Sequence, residues 1–150
     1  MQITDCIGTL LKRKGERPIL TITPDQTVYE ALSKMAEYDV GALLVVSGGR
    51  IMGIFSERDY ARKGVLLGHL SRDTQVGEIM TTPVRSVSPE NTVDDCMTLM
   101  TQGHFRHLPV IEKDEIVGIV SIGDLVKWVI SGHEHRIQAL EGYITGAYPG

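Results

Sequence analysis

Gly53-Ile54-Phe55-Ser56-Glu57-Arg58-Asp59 recurs 65 positions later as Gly118-Ile119-Val120-Ser121-Ile122-Gly123-Asp124, with glycine, serine and aspartate in register. The same shift of 65, applied outward without a gap, pairs identical residues at Pro18/Pro83, Pro24/Pro89, Thr27/Thr92, Val28/Val93, Met35/Met100, Leu43/Leu108, Val45/Val110, Ile51/Ile116 and Ile54/Ile119. Ordinary composition yields roughly two or three chance identities over such a stretch. The twelve observed here, counting the three of the motif, mark an internal duplication.

Each copy carries the same element pattern. Ile19 to Ile22 and Val84 to Val87 are short strand candidates, ended by Thr23-Pro24 and Ser88-Pro89, because proline removes a ladder donor and biases its predecessor away from helix. Val28, Ala31, Leu32 and Met35, and likewise Val93, Cys96, Met97 and Met100, recur at helical spacing and lay one apolar stripe on each helix. Ala42 to Val46 and Ile51 to Phe55 flank Ser47-Gly48-Gly49-Arg50, the signature of a tight hairpin. Leu108 to Ile111 and Ile116 to Val120 repeat it around Lys113-Asp114. Ser56 and Ser121 then stand as N-cap candidates for a second helix. The expected fold is α/β, two pseudo-symmetric β-α-β-β-α repeats.

Outside the repeats, Ile3, Ile7, Leu10 and Leu11 predict an amphipathic helix ending near Gly15, and Val76 to Met80 a short linker helix. Ile137, Leu140 and Ile144 predict a further helix with one apolar stripe. Taken in chain order, residues 1–70 form the first domain with the N-terminal helix, 71–131 the second, and 132–150 a C-terminal helix and tail.

The chain's 150 residues, 42% hydrophobic, suffice for one globular unit or two very small ones. A net charge of −4 argues against general affinity for nucleic acid, so any anion site must be local. No apolar run approaches a bilayer span, and the first residues lack a basic stretch followed by an apolar one. Cys6 and Cys96 form no CxxC and no disulfide framework, which suits a reducing cytoplasm.

The paired Gly-x-x-Ser-x-x-Asp stretches, each preceded by strand–helix–strand with a Leu-Val-Val or Leu-Pro-Val core, resemble the closing motif of CBS domains. The resemblance covers about Pro18 to Ile130 and implies that the two repeats pack sheet to sheet. The run Ser56 to Lys63 further resembles small stand-alone proteins made of two such domains. It implies a non-catalytic sensor that binds an adenosine-containing nucleotide such as AMP, ATP or NAD. It also implies a homodimer and a regulated protein partner, with neither membrane nor nucleic acid involved. An alternative within reach of the same sequence is a ligand-free dimerisation scaffold.

By that resemblance Asp59 and Asp124 receive the ribose hydroxyls. Chemistry supports this, since an ionised carboxylate is acceptor-only and has two oxygens. Ser56 and Ser121, one turn earlier, can cap the helix and reach ribose or phosphate, and a helix N-terminus favours anions. Adenine is expected near Ile22-Thr23 in one copy and Val87-Ser88 in the other, and against the start of the second strand, which is Arg106-His107-Leu108-Pro109 in the second copy. Arg58 has only Gly123 opposite it, and Arg106 and His107 have no basic counterparts, so the pseudo-two-fold cleft is expected to gather Arg58 and Arg106 around one set of phosphates. Asp124 with Arg106 is the favoured site, and Asp59 the weaker one or the site for a different adenosyl ligand.

Other chemistries find little footing. His133-Glu134-His135 does not share a helix face and no H-E-x-x-H or Cys/His quartet exists, so no metal is expected. Ser121, His107 and Asp124 could be imagined as a triad, but Ser and Asp occupy the helix start, and no other nucleophile with a base is present. No catalytic residue and no catalytic cofactor is therefore expected.

Overall fold

The structure, a computed structural model, describes residues 4–15 and 18–132. Ile3, His133-Glu134-His135 and the expected helix around Ile137, Leu140 and Ile144 lie outside the described residues. Mixed α/β elements form two compact units, one being Pro18–Ser86 and the other Met1–Arg17 together with Val87–Gly150.

In the Pro18–Ser86 unit, β1 (Thr21–Ile22) runs parallel to β2 (Ala42–Ser47), which pairs antiparallel with β3 (Arg50–Ser56). The β2–β3 turn uses Gly48 and Gly49 at φ 58° and 76°, positive values that a two-residue hairpin of this hand demands. Helix α2 (Val28–Tyr38) begins where the Thr27 hydroxyl accepts the Glu30 N–H, and it buries Val28, Ala31 and Met35. These meet Leu43, Val45 and Phe55 of the sheet and Val76 and Ile79 of α4 (Val76–Ile79), forming one apolar core. Helix α3 (Glu57–Asp59) starts directly from β3 and continues as a π-helical turn, Tyr60–Val65.

The other unit repeats this plan. Helix α5 (Val93–Gly103) buries Val93, Cys96 and Met100 against Leu108, Val110 and Val120 of the β4 (His107–Glu112) and β5 (Glu115–Ser121) hairpin. Here Lys113 and Asp114 take the positive-φ turn positions. Both hairpins even shift register at the same repeat position, between Val45 and Val46 and between Val110 and Ile111. Helix α6 occupies 122–132, and its Leu125 is fully buried.

Two departures from the expected pattern have local causes. Val84 to Val87 forms no strand; a single parallel bridge joins Val87 to Val110. In the first copy the Leu44 N–H donates to the Leu20 carbonyl, whereas the equivalent position in the second copy is Pro109, which has no N–H to give. The pairing stops there.

The second departure concerns α1 (Ile7–Lys14), expected with the first repeat because it precedes it. Ile7 and Leu10 are instead buried in the core of the second repeat. The Ile7 and Gly8 N–H groups donate to Asn91 and Pro89 carbonyls at 2.8 and 2.9 Å, and Val93 N donates to Asp5 O at 2.9 Å. In the Pro18–Ser86 unit, Val76 and Gly77 donate in the same way to Gln26 and Pro24, and Val28 donates to Thr74. Each repeat is thus completed by the segment that precedes the other one, and α4 is the counterpart of α1.

Candidate functional site

Both hairpins deliver their Ser-x-x-Asp pair to a helix start. Ser56 has extended backbone, so its hydroxyl can turn back to accept the Asp59 N–H at 3.2 Å, while Asp59 Oδ2 accepts the Ser56 N–H at 3.0 Å. Asp124 N donates to Ser121 Oγ at 3.1 Å and Ser121 N donates to Asp124 Oδ2 at 2.9 Å, the same reciprocal cap.

The strand register decides what stands beside each cap. His107 lies opposite Ser121, and the Arg106 carbonyl accepts the Ile122 N–H at 2.8 Å, which brings Arg106 and His107 to the first turn of α6. Gly41 occupies the corresponding place in the first repeat, accepting from Glu57 N at 3.1 Å. Arg106 is exposed and His107 half-buried, whereas Leu108 and Pro109 are buried strand residues. Arg58 is half-buried in the first turn of α3, in the unit that does not contain Arg106.

The adenine-side positions are more committed than the sequence suggests. Ile22 is buried, and the Thr23 N–H is taken by Gln26 Oε1 at 3.0 Å. Val87 uses its N–H on Pro109 O and its carbonyl on Ile111 N, and Ser88 N donates to Asn91 Oδ1 at 2.8 Å. These backbone groups are paired within their own units.

The two aspartates differ in what else holds them. Asp59, 7% exposed, has both oxygens engaged: Oδ2 by Ser56 N and Oγ, Oδ1 by the Thr81 hydroxyl at 2.7 Å, with the Lys63 ammonium 3.4 Å from Oδ1. Among the described residues Asp124 is bonded through Oδ2, to Ser121 N and to the Lys14 ammonium at 2.8 Å, and its side chain is 19% exposed. Burial would raise the Asp124 carboxyl, but Lys14 and the Ser121 donors outweigh it and hold the group below its ordinary value.

Sequence reasoning missed Lys14, Thr81 and Lys63. Lys14 closes a basic run, Lys12-Arg13-Lys14, in the last turn of α1, where cations complement the helix dipole and need no ligand to explain them. Thr81 follows α4 and reaches Asp59 only because β3 also pairs Ile54 with Thr81.

Among the described residues no three His, Cys, Asp or Glu side chains gather to hold a metal ion, and no helix is long and apolar enough to cross a membrane.

The CBS domain family model matches twice, over residues 15–65 and 76–131. The chain is 42% identical over 150 residues to CBS domain-containing protein CBSX3, mitochondrial, of Arabidopsis thaliana, covering 95% of this chain and 73% of that protein. A solved CBS-domain protein from Burkholderia ambifaria MC40-6, to which a signal-transduction role is attributed, shares 49% identity at a TM-score of 0.80 over 84% of this chain and 94% of the other. The hexameric CBS-CP12 protein of bloom-forming cyanobacteria matches at 28% identity and a TM-score of 0.72, covering 81% of this chain and 66% of its own.

Proposed function

Since this chain belongs to the CBS-domain family, whose members are regulatory and signal-transduction modules, we propose that it is a non-catalytic sensor of an adenosine-containing nucleotide such as AMP, ATP or NAD. The observation that carries this reading is the second-repeat cap: an ionised aspartate with one oxygen uncommitted among the described residues, at a helix start flanked by Arg106 and His107. Asp124 accepts the ribose hydroxyls, Ser121 and the first turn of α6 meet the phosphate side, and Arg106 and His107 supply positive charge. Asp59 with Ser56 and Arg58, near Ile22 and Thr23, is the weaker counterpart.

The sensor works in the cytoplasm as a homodimer and passes its ligand state to a protein partner. Exposed Val126 and Ile130 on α6 offer an apolar face for self-association, and oligomerisation of the hexameric cyanobacterial relative supports it. Calorimetric titration with AMP, ATP and NAD tests the reading. Absence of heat and of any melting shift at millimolar ligand would sink it.

One observation favours a second reading, a ligand-free dimerisation scaffold: both carboxylates already have partners inside the protein. That scaffold would sediment as a dimer and ignore every nucleotide.

A further inference from the structure

Resting on the reading of Asp124 as ribose acceptor, we propose that Lys14 sets the charge of that site and makes it select phosphorylated adenosine ligands over adenosine itself.

The two repeats complete their aspartates with different groups. In the Pro18–Ser86 unit two neutral groups of Thr81 do two jobs: its N–H donates to the Ile54 carbonyl at 2.8 Å and its hydroxyl to Asp59 Oδ1 at 2.7 Å. The equivalent acceptors in the second repeat are the Ile119 carbonyl and Asp124. A single group serves both, the Lys14 ammonium, at 3.2 and 2.8 Å. One repeat thus closes its aspartate with a neutral hydroxyl at 2.7 Å, the Lys63 ammonium standing farther off at 3.4 Å, and the other with a directly bonded cation on a flexible stem.

Two consequences follow from chemistry. Thr81 occupies the aspartate oxygen that the cap leaves over, whereas Lys14 shares Oδ2 with Ser121 N and leaves Oδ1 for an incoming hydroxyl. A nucleotide also holds its phosphate close to the ribose, so a bare carboxylate receiving the diol would repel it, and in a half-buried site water screens that repulsion poorly. Lys14 cancels the carboxylate charge. An ammonium has three donors, and the two bonds it makes here leave a third for a phosphate oxygen.

Helix α1 does not depend on Lys14 for its place. The Arg13 guanidinium lies 5.1 Å from the centre of the Trp128 ring, Trp128 Nε1 donates to Asp5 at 2.8 Å, and Ile7 and Leu10 are buried. Removing one charge should leave the fold intact.

The experiment measures AMP and adenosine affinities for wild type, Lys14→Met, Lys14→Gln, Lys14→Arg and, as a control on the same helix, Lys12→Met. Lys14→Met and Lys14→Gln should cut the preference for AMP over adenosine about tenfold, the effect of removing one nearby charge. Adenosine affinity should move by no more than about twofold, within the range of a weak contact. Lys14→Arg and Lys12→Met should keep the preference. Equal weakening of both ligands, or no change in either, would overturn the role of Lys14 while leaving the ribose reading standing. Wild-type protein that binds neither AMP nor adenosine would overturn both.

Discussion

Thr81 and Asp59 are joined by a 2.7 Å hydrogen bond from hydroxyl to carboxylate, which ties the segment after α4 to the helix start that follows β3. Asp59 is nearly inaccessible, so its bonds serve the fold first. Asp59→Ala should cost about 2–3 kcal/mol, leaving the Ser56 N–H and Thr81 hydroxyl without their acceptor. Thr81→Val should cost about 1 kcal/mol. Thr81→Ser should be close to neutral. Urea unfolding of the three variants checks the order.

Asp124, gripped through one oxygen, should matter more for ligand than for stability. Asp124→Ala is expected to lower nucleotide affinity at least about tenfold, since bonds to a charged acceptor are worth roughly 1.5–3 kcal/mol each. A 2′-deoxy nucleotide should lose affinity for wild type and little further for the variant. Asp59→Ala should change affinity less. Equal nucleotide and 2′-deoxynucleotide binding by wild type would remove the ribose assignment.

The glycines that open each motif have unequal duties. A Cβ on Gly53 would sit 2.8 Å from the Thr81 carbonyl oxygen and 2.7 Å from Met80 Sδ, whereas the nearest atoms to one on Gly118 would be the Leu11 methyls, at 3.0 and 3.2 Å. Backbone cannot retreat from β3 without breaking the Ile54–Thr81 pair; a leucine can change rotamer. Gly53→Ala should therefore destabilise by about 1–3 kcal/mol, and Gly118→Ala by less. Thermal melts of the two variants decide it.

Acid should weaken the α1 attachment. The folded Asp124 carboxyl lies below its ordinary value of 3.8, despite the opposing effect of burial, because Lys14 and Ser121 favour the ionised form. A depressed folded value means stability that is complete above the unfolded pKa and lost as pH falls below it through the folded one. Asp95, lowered by the Thr92 N–H and Asn91, adds in the same direction. Between pH 7 and 3, wild type should lose more melting temperature than Lys14→Met. A variant that loses as much would separate the acid response from this ion pair.

The two cysteines should react very differently. Cys6 is exposed; Cys96 is buried, and burial together with Asp95 pushes its thiol up to about 11. Since the thiolate is the nucleophile, iodoacetamide at pH 8 should label Cys6 alone in native protein and both residues in denaturant. Mass spectrometry reads the count.

Much of this was legible because the duplication repeats local chemistry. Val28, Ala31 and Met35 announce a buried stripe by spacing alone, and Ser56 and Ser121 announce caps by type and position, as their hydrogen bonds bear out. Family membership follows from the same residues. The partner of α1 was not legible, because an apolar stripe such as Ile7 and Leu10 states that a face must be covered without stating by which repeat. Lys14 was hidden for a related reason: its partner is 110 positions away, beyond the reach of any local pattern. The lost strand before α5 could have been foreseen, since Pro109 stands where Leu44 donates.

The exchange of completing segments also sets an order on synthesis. Everything in Pro18–Ser86 leaves the ribosome as one continuous stretch and can reach its native contacts as soon as it is out. Helix α1 emerges earlier, yet Asp124 follows Lys14 by 110 residues. At about 5–20 residues per second, that helix waits on the order of 5–20 s with Ile7 and Leu10 uncovered. The nascent chain thus carries an unsatisfied apolar face across the whole birth of its inner unit, a natural target for the holding chaperones that greet emerging polypeptides.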